Sequence, residues 1–177
     1  MQNTMSRFRP ALAMLVLLAG GIGLAPSAHA AILSISGAAF VQQCPCAPSG
    51  NLPDVTKGVL FPTDQSNLYA AVDFPTNGQK ICSLSLVYQD INANDTMTAR
   101  LFRKAFAVGS NPLNNPTIIV TAKSAGGVVN TVRKTTTKTA TPPTINDASG
   151  FYFVEVSMPT INLNLLGVQI DYRPTCP

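Results

Sequence analysis

The most regular stretch of the chain is "ICSLSLVYQD" (Ile81–Asp90), where apolar and small polar residues alternate. A period of two places Cys82, Leu84, Leu86 and Tyr88 on one face, the pattern of a half-buried β-strand. The same alternation runs through "FYFVEVSMP" (Phe151–Pro159) and "LLGVQIDYRP" (Leu165–Pro174). There Tyr152, Val154, Val156 and Met158 share a face, as do Val168, Ile170 and Tyr172. The opposite faces carry Glu155, Ser157, Gln169, Asp171 and Arg173, so each strand has a buried side and a wet side, as in antiparallel sheet.

Shorter strands are predicted at Ile32–Ser36, Gly58–Pro62, Leu68–Pro75 and Thr117–Ser124. "TMTARLFRKAFAV" (Thr96–Val108) has helical propensity, but its Thr and Phe content and its strand-like neighbours predict an extended segment. That sets Ala99, Leu101 and Arg103 opposite Arg100, Phe102 and Lys104. Turn chemistry separates these runs: a Pro/Gly/Asn loop at Cys46–Asp54, an Asn-Gly hairpin signal at Thr76–Gln79, a loop at Asn111–Pro116 and a turn at Ala125–Gly127. Val128–Ile145 begins as a strand and becomes a Thr-rich, edge-like segment ending in Pro142-Pro143. Eight to ten strands at turn spacings of roughly 8–12 residues predict an all-β fold, an antiparallel two-sheet sandwich of jelly-roll type. No linker, internal repeat or heptad divides it.

The N-terminal segment does not belong to that fold. Arg7 and Arg9 precede the apolar run Ala11–Ala25, Pro26 breaks it, and "AHA" (Ala28–Ala30) supplies small residues for cleavage. This is the layout of a secretory signal peptide, with residues 1–30 removed and 31–177 forming one domain in the periplasm or outside the cell. No cysteine follows the cleavage point, which argues against a lipoprotein anchor.

Removal of the leader changes the composition. The chain has 12 basic and 8 acidic residues; Arg7 and Arg9 leave, so the balance becomes 10 − 8 = +2. So small an excess over 177 − 30 = 147 residues gives little reason to expect a nucleic-acid partner. The only histidine, His29, also leaves, and the chain has no tryptophan. Without imidazole, Ser-His-Asp and Cys-His catalysis and histidine-ligated zinc are excluded. No G-x-S-x-G, P-loop or G-x-G-x-x-G pattern occurs. Two-carboxylate catalysis is left only eight scattered acids, and the expectation is a protein that is not an enzyme.

Four cysteines, Cys44, Cys46, Cys82 and Cys176, lie in the exported part and predict disulfides. A Cys44–Cys46 bridge would close a tight ring across Pro45, so the expected pairing gives each of these two a partner among Cys82 and Cys176. Copper or zinc binding by "CPC" lacks a nearby histidine or methionine to complete a shell.

Three further groups are candidate sites. Asp90, Asn92, Asn94 and Asp95 put several oxygens on one loop, a weak calcium candidate with two charged donors. It is no EF-hand, since Asp95 stands where glycine is needed and Leu101 where the bidentate acid belongs. The ordinary role of such residues is turn formation, and Asn94-Asp95-Thr96 also matches the N-glycosylation pattern. Arg100, Lys104, Arg133, Lys134 and Lys138 could line neighbouring strands and bind an anionic polymer, or simply guard a strand edge. Exposed Tyr69, Phe102 or Phe151 could stack on a sugar.

The succession "LYAAVDFPTNGQKICSLSLVYQD", "TARLFR", a Thr-rich tract, "FYFVEVSM" and "LLGVQIDY" resembles exported bacterial single-domain β-sandwich proteins of uncharacterised function. The resemblance covers roughly 68–172 and implies a sandwich fold, an export route and pairing of the last two strands with each other. It implies no catalytic residues. The expected role is an exported, non-enzymatic structural or surface-interaction module, stapled by disulfides and associating through a sheet face with its own copies or with an envelope polymer. The alternative is a module binding carbohydrate or another envelope polymer, with calcium as the only candidate cofactor. Neither reading includes a membrane span in the mature chain.

Overall fold

Alternation makes each strand two-faced, and two such sheets can hide their apolar faces only against each other. A computed structural model of the chain describes residues 30–42, 52–54, 58–61, 66–91, 95–106, 115–126, 129–160 and 163–177. Among them are eleven strands: β1 (Ala31–Ser36), β2 (Val41–Gln42), β3 (Leu52–Asp54), β4 (Val59–Phe61), β5 (Ser66–Val72), β6 (Lys80–Asp90), β7 (Thr98–Ala105), β8 (Thr117–Lys123), β9 (Val129–Lys138), β10 (Gly150–Met158) and β11 (Leu163–Arg173). The predicted leader, Cys44, Cys46 and the loop residues 107–114 lie outside the described residues.

The first sheet runs β3-β4-β11-β6-β9, with β1 also paired to β11, and the second runs β2-β5-β10-β7-β8. Every pairing is antiparallel. β4 meets β11 at Leu165 while β1 takes Gly167–Tyr172, so the two share one edge of β11 end to end. The pairs β4·β11, β5·β10, β6·β9 and β7·β8 nest inside one another along the chain. Nested antiparallel pairs split between two sheets define a jelly roll, as expected.

Three expectations about connectivity are corrected. β10 and β11 do not pair; they lie in opposite sheets, because alternation fixes which face is buried but carries no information about the neighbour. The Asn77-Gly78 turn is no hairpin, since it passes the chain from β5 in the second sheet to β6 in the first. Gly78 does adopt the left-handed backbone that a tight turn requires, with φ +83°. Its N–H donates to Ile145 O, and the Asn77 side chain accepts from Asp147 N–H, so the turn packs on the segment before β10. Leu52–Asp54, expected within a loop, forms β3.

Leu84, Leu86 and Tyr88 of β6 point inward, facing Val154, Val156, Leu101 and Met158 across one continuous core. Each fully buried residue of this size contributes about 1.5–3 kcal/mol relative to exposure. Phe74 closes one end of the core, its ring edge-to-face with Tyr152 at 5.2 Å and Tyr172 at 5.4 Å. Tyr88 carries a hydroxyl into this core. Its hydroxyl accepts from Ala125 N–H at 2.7 Å and bonds Thr135 Oγ1 at 3.2 Å, so burial leaves it satisfied. Gly167 sits at a bulge of β11 where a Cβ would come within 2.5 Å of Ile35 O, so only glycine lets β1 approach.

Cys82 bonds to Cys176 with a Cα separation of 5.3 Å. This overturns the expected pairing of Cys82 and Cys176 with Cys44 and Cys46. Arg173 stands opposite Lys80 at the end of the β6·β11 ladder, so the tail that follows passes the start of β6 and delivers Cys176 beside Cys82. No helix among the described residues is long and apolar enough to cross a membrane.

Candidate functional site

The inward residues of the second sheet dictate what its outward face carries. Leu68 and Ala70 of β5, Ala99 and Leu101 of β7, and Tyr152, Val154 and Val156 of β10 are buried. Tyr69, then Phe151, Phe153 and Glu155, then Arg100, Phe102 and Lys104 must therefore point away from the core. Antiparallel register brings them into rows. Glu155 lies between Tyr69 and Arg100, Phe153 lies beside Phe102, and Phe151 lies opposite Lys104.

The aromatic side chains form a connected stripe. Phe102 and Phe153 stack at 5.0 Å between centroids with an interplanar angle of 11°. Phe151 lies 6.0 Å from Phe153, Phe106 lies 5.9 Å from Phe151, and Tyr69 lies 6.3 Å from Phe153. Phe102 is buried by this stacking, but Phe151 remains 48% exposed and Phe106 58%. Ile118 of β8, in register with Phe102, and Val41 of β2, in register with Tyr69, extend the exposed apolar surface at either side.

A polar row crosses the sheet next to the rings. The Tyr69 hydroxyl donates to Glu155 Oε2 at 3.0 Å, and Arg100 Nη1 donates to Glu155 Oε1 at 2.7 Å. The Glu155 side chain keeps 16% of its exposure and that of Arg100 keeps 36%, so the pair still meets solvent. Burial raises the Tyr69 phenol above its ordinary range, and its bond to the Glu155 carboxylate raises it further. The hydroxyl is thus held as a donor to one Glu155 oxygen, while Arg100 donates to the other.

The first sheet presents a different outward face. Gln169 accepts from Lys134 Nζ at 2.7 Å and donates to Ser34 Oγ at 3.3 Å; Ser85 and Thr136 bond at 2.8 Å. Gln89 donates to Asn130 at 2.6 Å and accepts from Asn164 at 3.1 Å. A shallow groove of about 310 Å³ runs beside the β11 bulge, lined by Ser34, Ser36, Val87, Leu166, Gly167 and Gln169. Here the amides and hydroxyls are largely paired with one another.

The expected basic patch is divided. Arg100 and Lys104 belong to β7 in the second sheet, whereas Arg133, Lys134 and Lys138 belong to β9 at the edge of the first. These strands are not neighbours within a sheet, so the five cations do not line one surface. Lys134 and Lys138 on an edge strand are placed to discourage pairing with another chain. Of the calcium candidates, Asp90 is buried at the end of β6 opposite Leu163, and Asp95 is half-buried. Asn92 and Asn94 lie outside the described residues. Among the described residues, no group of three or more His, Cys, Asp or Glu gathers to hold a metal.

Tyr69 and Phe151 were legible as candidate stacking residues; Phe102, expected to be exposed, is instead buried against Phe153, and Phe153, Phe106 and the Tyr69–Glu155–Arg100 row were not foreseen. The signal was present in "FYFVE": Phe151, Phe153 and Glu155 share one parity, so a single strand presents two rings and a carboxylate on one face.

Neither family models nor curated proteins match this chain. Among solved structures, it is similar to the C-terminal CBM6 of LamC, a marine laminarinase from Zobellia galactanivorans. Identity there is 13%, over 79% of this chain and 98% of that one, with a TM-score of 0.42. It is also similar to the Arthrobacter globiformis T6 isomalto-dextranase complexed with panose. Identity is 14%, over 74% of this chain but 18% of that one, with a TM-score of 0.37.

Proposed function

We propose that this protein is an exported, non-catalytic interaction module that contacts a surface or envelope component through the outward face of its second sheet. The observation that carries the reading is the exposed Phe151–Phe106 end of the aromatic stripe, with exposed Ile118 in register with Phe102 further along the same face. Contiguous exposed apolar surface on a folded chain marks an interaction site, because leaving it wet forgoes the free energy of burial. Full burial of a phenylalanine is worth about 1.5–3 kcal/mol, so each of these half-exposed rings has roughly 1 kcal/mol left to gain from a partner. The Cys82–Cys176 bridge and the lack of any histidine in residues 31–177 support an exported binding role. Calcium at Asp90, Asn92, Asn94 and Asp95 is an optional contact in this reading.

The test is co-sedimentation of the protein with washed cell envelopes, beside the double variant Phe106→Ser/Phe151→Ser. Wild type is expected in the pellet and the variant in the supernatant, with both melting at similar temperature. Equal pelleting of the two, or no pelleting of either, would overturn the reading.

A further inference from the structure

The character of the second sheet's outward face narrows the class of partner. Resting on the interaction role above, we infer that this face takes a polysaccharide, with pyranose rings laid on the Phe106–Phe151–Phe153 stripe. Their hydroxyl groups would be held by the Tyr69–Glu155–Arg100 row.

The argument is one of matched surfaces. A pyranose ring has an apolar face of C–H groups and a rim of hydroxyls that both donate and accept. The stripe supplies aromatic surface for the first: half-exposed Phe151 and Phe106, 5.9 Å apart, with Phe153 at 6.0 Å from Phe151 and backed by buried Phe102. The row supplies groups for the second, since Glu155 accepts and Arg100 donates, both in reach of solvent and held at 2.7 Å from each other. Small-molecule sites with this composition use aromatic walls for area and a few fixed polar groups for orientation. Phe151, Phe153 and the row stand on adjacent strands of one sheet and so are placed without any ordering of loops, and Phe106 directly follows β7.

The same row disfavours the other occupants of an apolar face. A second copy laid sheet against sheet would bury the Arg100–Glu155 pair beneath apolar groups, removing two charges from water for little return. A polyanion such as nucleic acid would meet the Glu155 carboxylate at the centre of its footprint. A neutral or weakly charged polyhydroxyl chain meets neither penalty.

The experiment is a titration of the protein, expressed from its full sequence and purified, with cellohexaose, chitohexaose and mannohexaose, followed by calorimetry and by amide NMR shifts. At least one hexamer is expected to bind and to shift signals of β5, β7 and β10. Phe151→Ala and Glu155→Gln should each weaken that binding at least tenfold, while Val132→Ser, on the edge strand β9, should leave it unchanged. A parallel melt of each variant separates lost binding from lost folding. Binding that ignores Phe151→Ala and Glu155→Gln in folded protein would overturn the inference. So would the absence of binding to all three hexamers, together with envelope pelleting that persists and is abolished by protease treatment of the envelopes. In that last case the interaction role stands and its partner is a protein; loss of pelleting itself would instead remove the role on which the inference rests.

Discussion

Replacing both Cys82 and Cys176 by alanine removes the bridge that ties the tail beyond β11 to the start of β6. The two residues are 94 apart, so the bridge closes most of the sandwich into one loop. In the chain-entropy model a loop of that length restricts the unfolded state by about 4.7 kcal/mol at 25 °C. The native state has little strain to release in return, because the β6·β11 ladder already runs to Lys80 and Arg173 on its own hydrogen bonds. For a domain of 177 − 30 = 147 residues the unfolding entropy is about 0.3 kcal/mol/K, so the melting temperature should drop by roughly 15 °C. Equilibrium unfolding in urea, followed by far-UV circular dichroism because the chain has no tryptophan, measures the loss directly. The denaturant slope should rise, since an uncrosslinked chain exposes more surface. A loss below about 2 kcal/mol with an unchanged slope would refute the reasoning, showing that the unfolded chain holds these ends together without the bond.

Two further substitutions test specific contacts. Tyr88→Phe keeps the buried ring but deprives Ala125 N–H and Thr135 of their hydroxyl partner, and should cost about 1–3 kcal/mol in chemical denaturation. Asp147 is raised above the ordinary carboxylate range by burial and by the nearby Asp73 carboxylate. The folded chain therefore binds this proton more tightly than the unfolded chain, and stability falls as pH rises through the ordinary range and up to the raised pKa. Asp147→Asn should melt higher than wild type at pH 7 and lose that advantage at pH 3, a difference read from paired thermal melts.

Face was legible in the sequence and neighbours were not. Tyr152, Val154, Val156 and Met158 are buried as their spacing required, and Thr98–Ala105 is extended despite its helical propensity. A jelly roll separates β10 from β11 into different sheets, and their partner residues on β5, β6 and β7 lie 45 or more residues earlier in the chain, as 150 − 105 = 45 for Gly150 and Ala105. Alternation within one strand says nothing about so distant a partner. The cysteine pairing failed for the same reason: which chain segments meet depends on strand order, and β11 brings the C-terminus back to β6. The five basic residues share a sequence neighbourhood and a charge, yet β7 and β9 fall in opposite sheets. For the aromatic face, the parity of Phe151, Phe153 and Glu155 was on the page. Only the register with β5 and β7 assembled those residues with Tyr69, Phe102 and Arg100.

The central claim, that the outward face of the second sheet is the contact surface, is tested most directly by hydroxyl-radical footprinting with and without washed envelopes. Phe106, Phe151 and Ile118 are exposed on that face, while Ile32 and Val132 are exposed on strands of the first sheet and serve as internal references. The account predicts that oxidation of Phe106, Phe151 and Ile118 falls when envelopes are present while Ile32 and Val132 react as before. Protection of Ile32 and Val132 with Phe151 left reactive would contradict it and move the interaction to the opposite sheet.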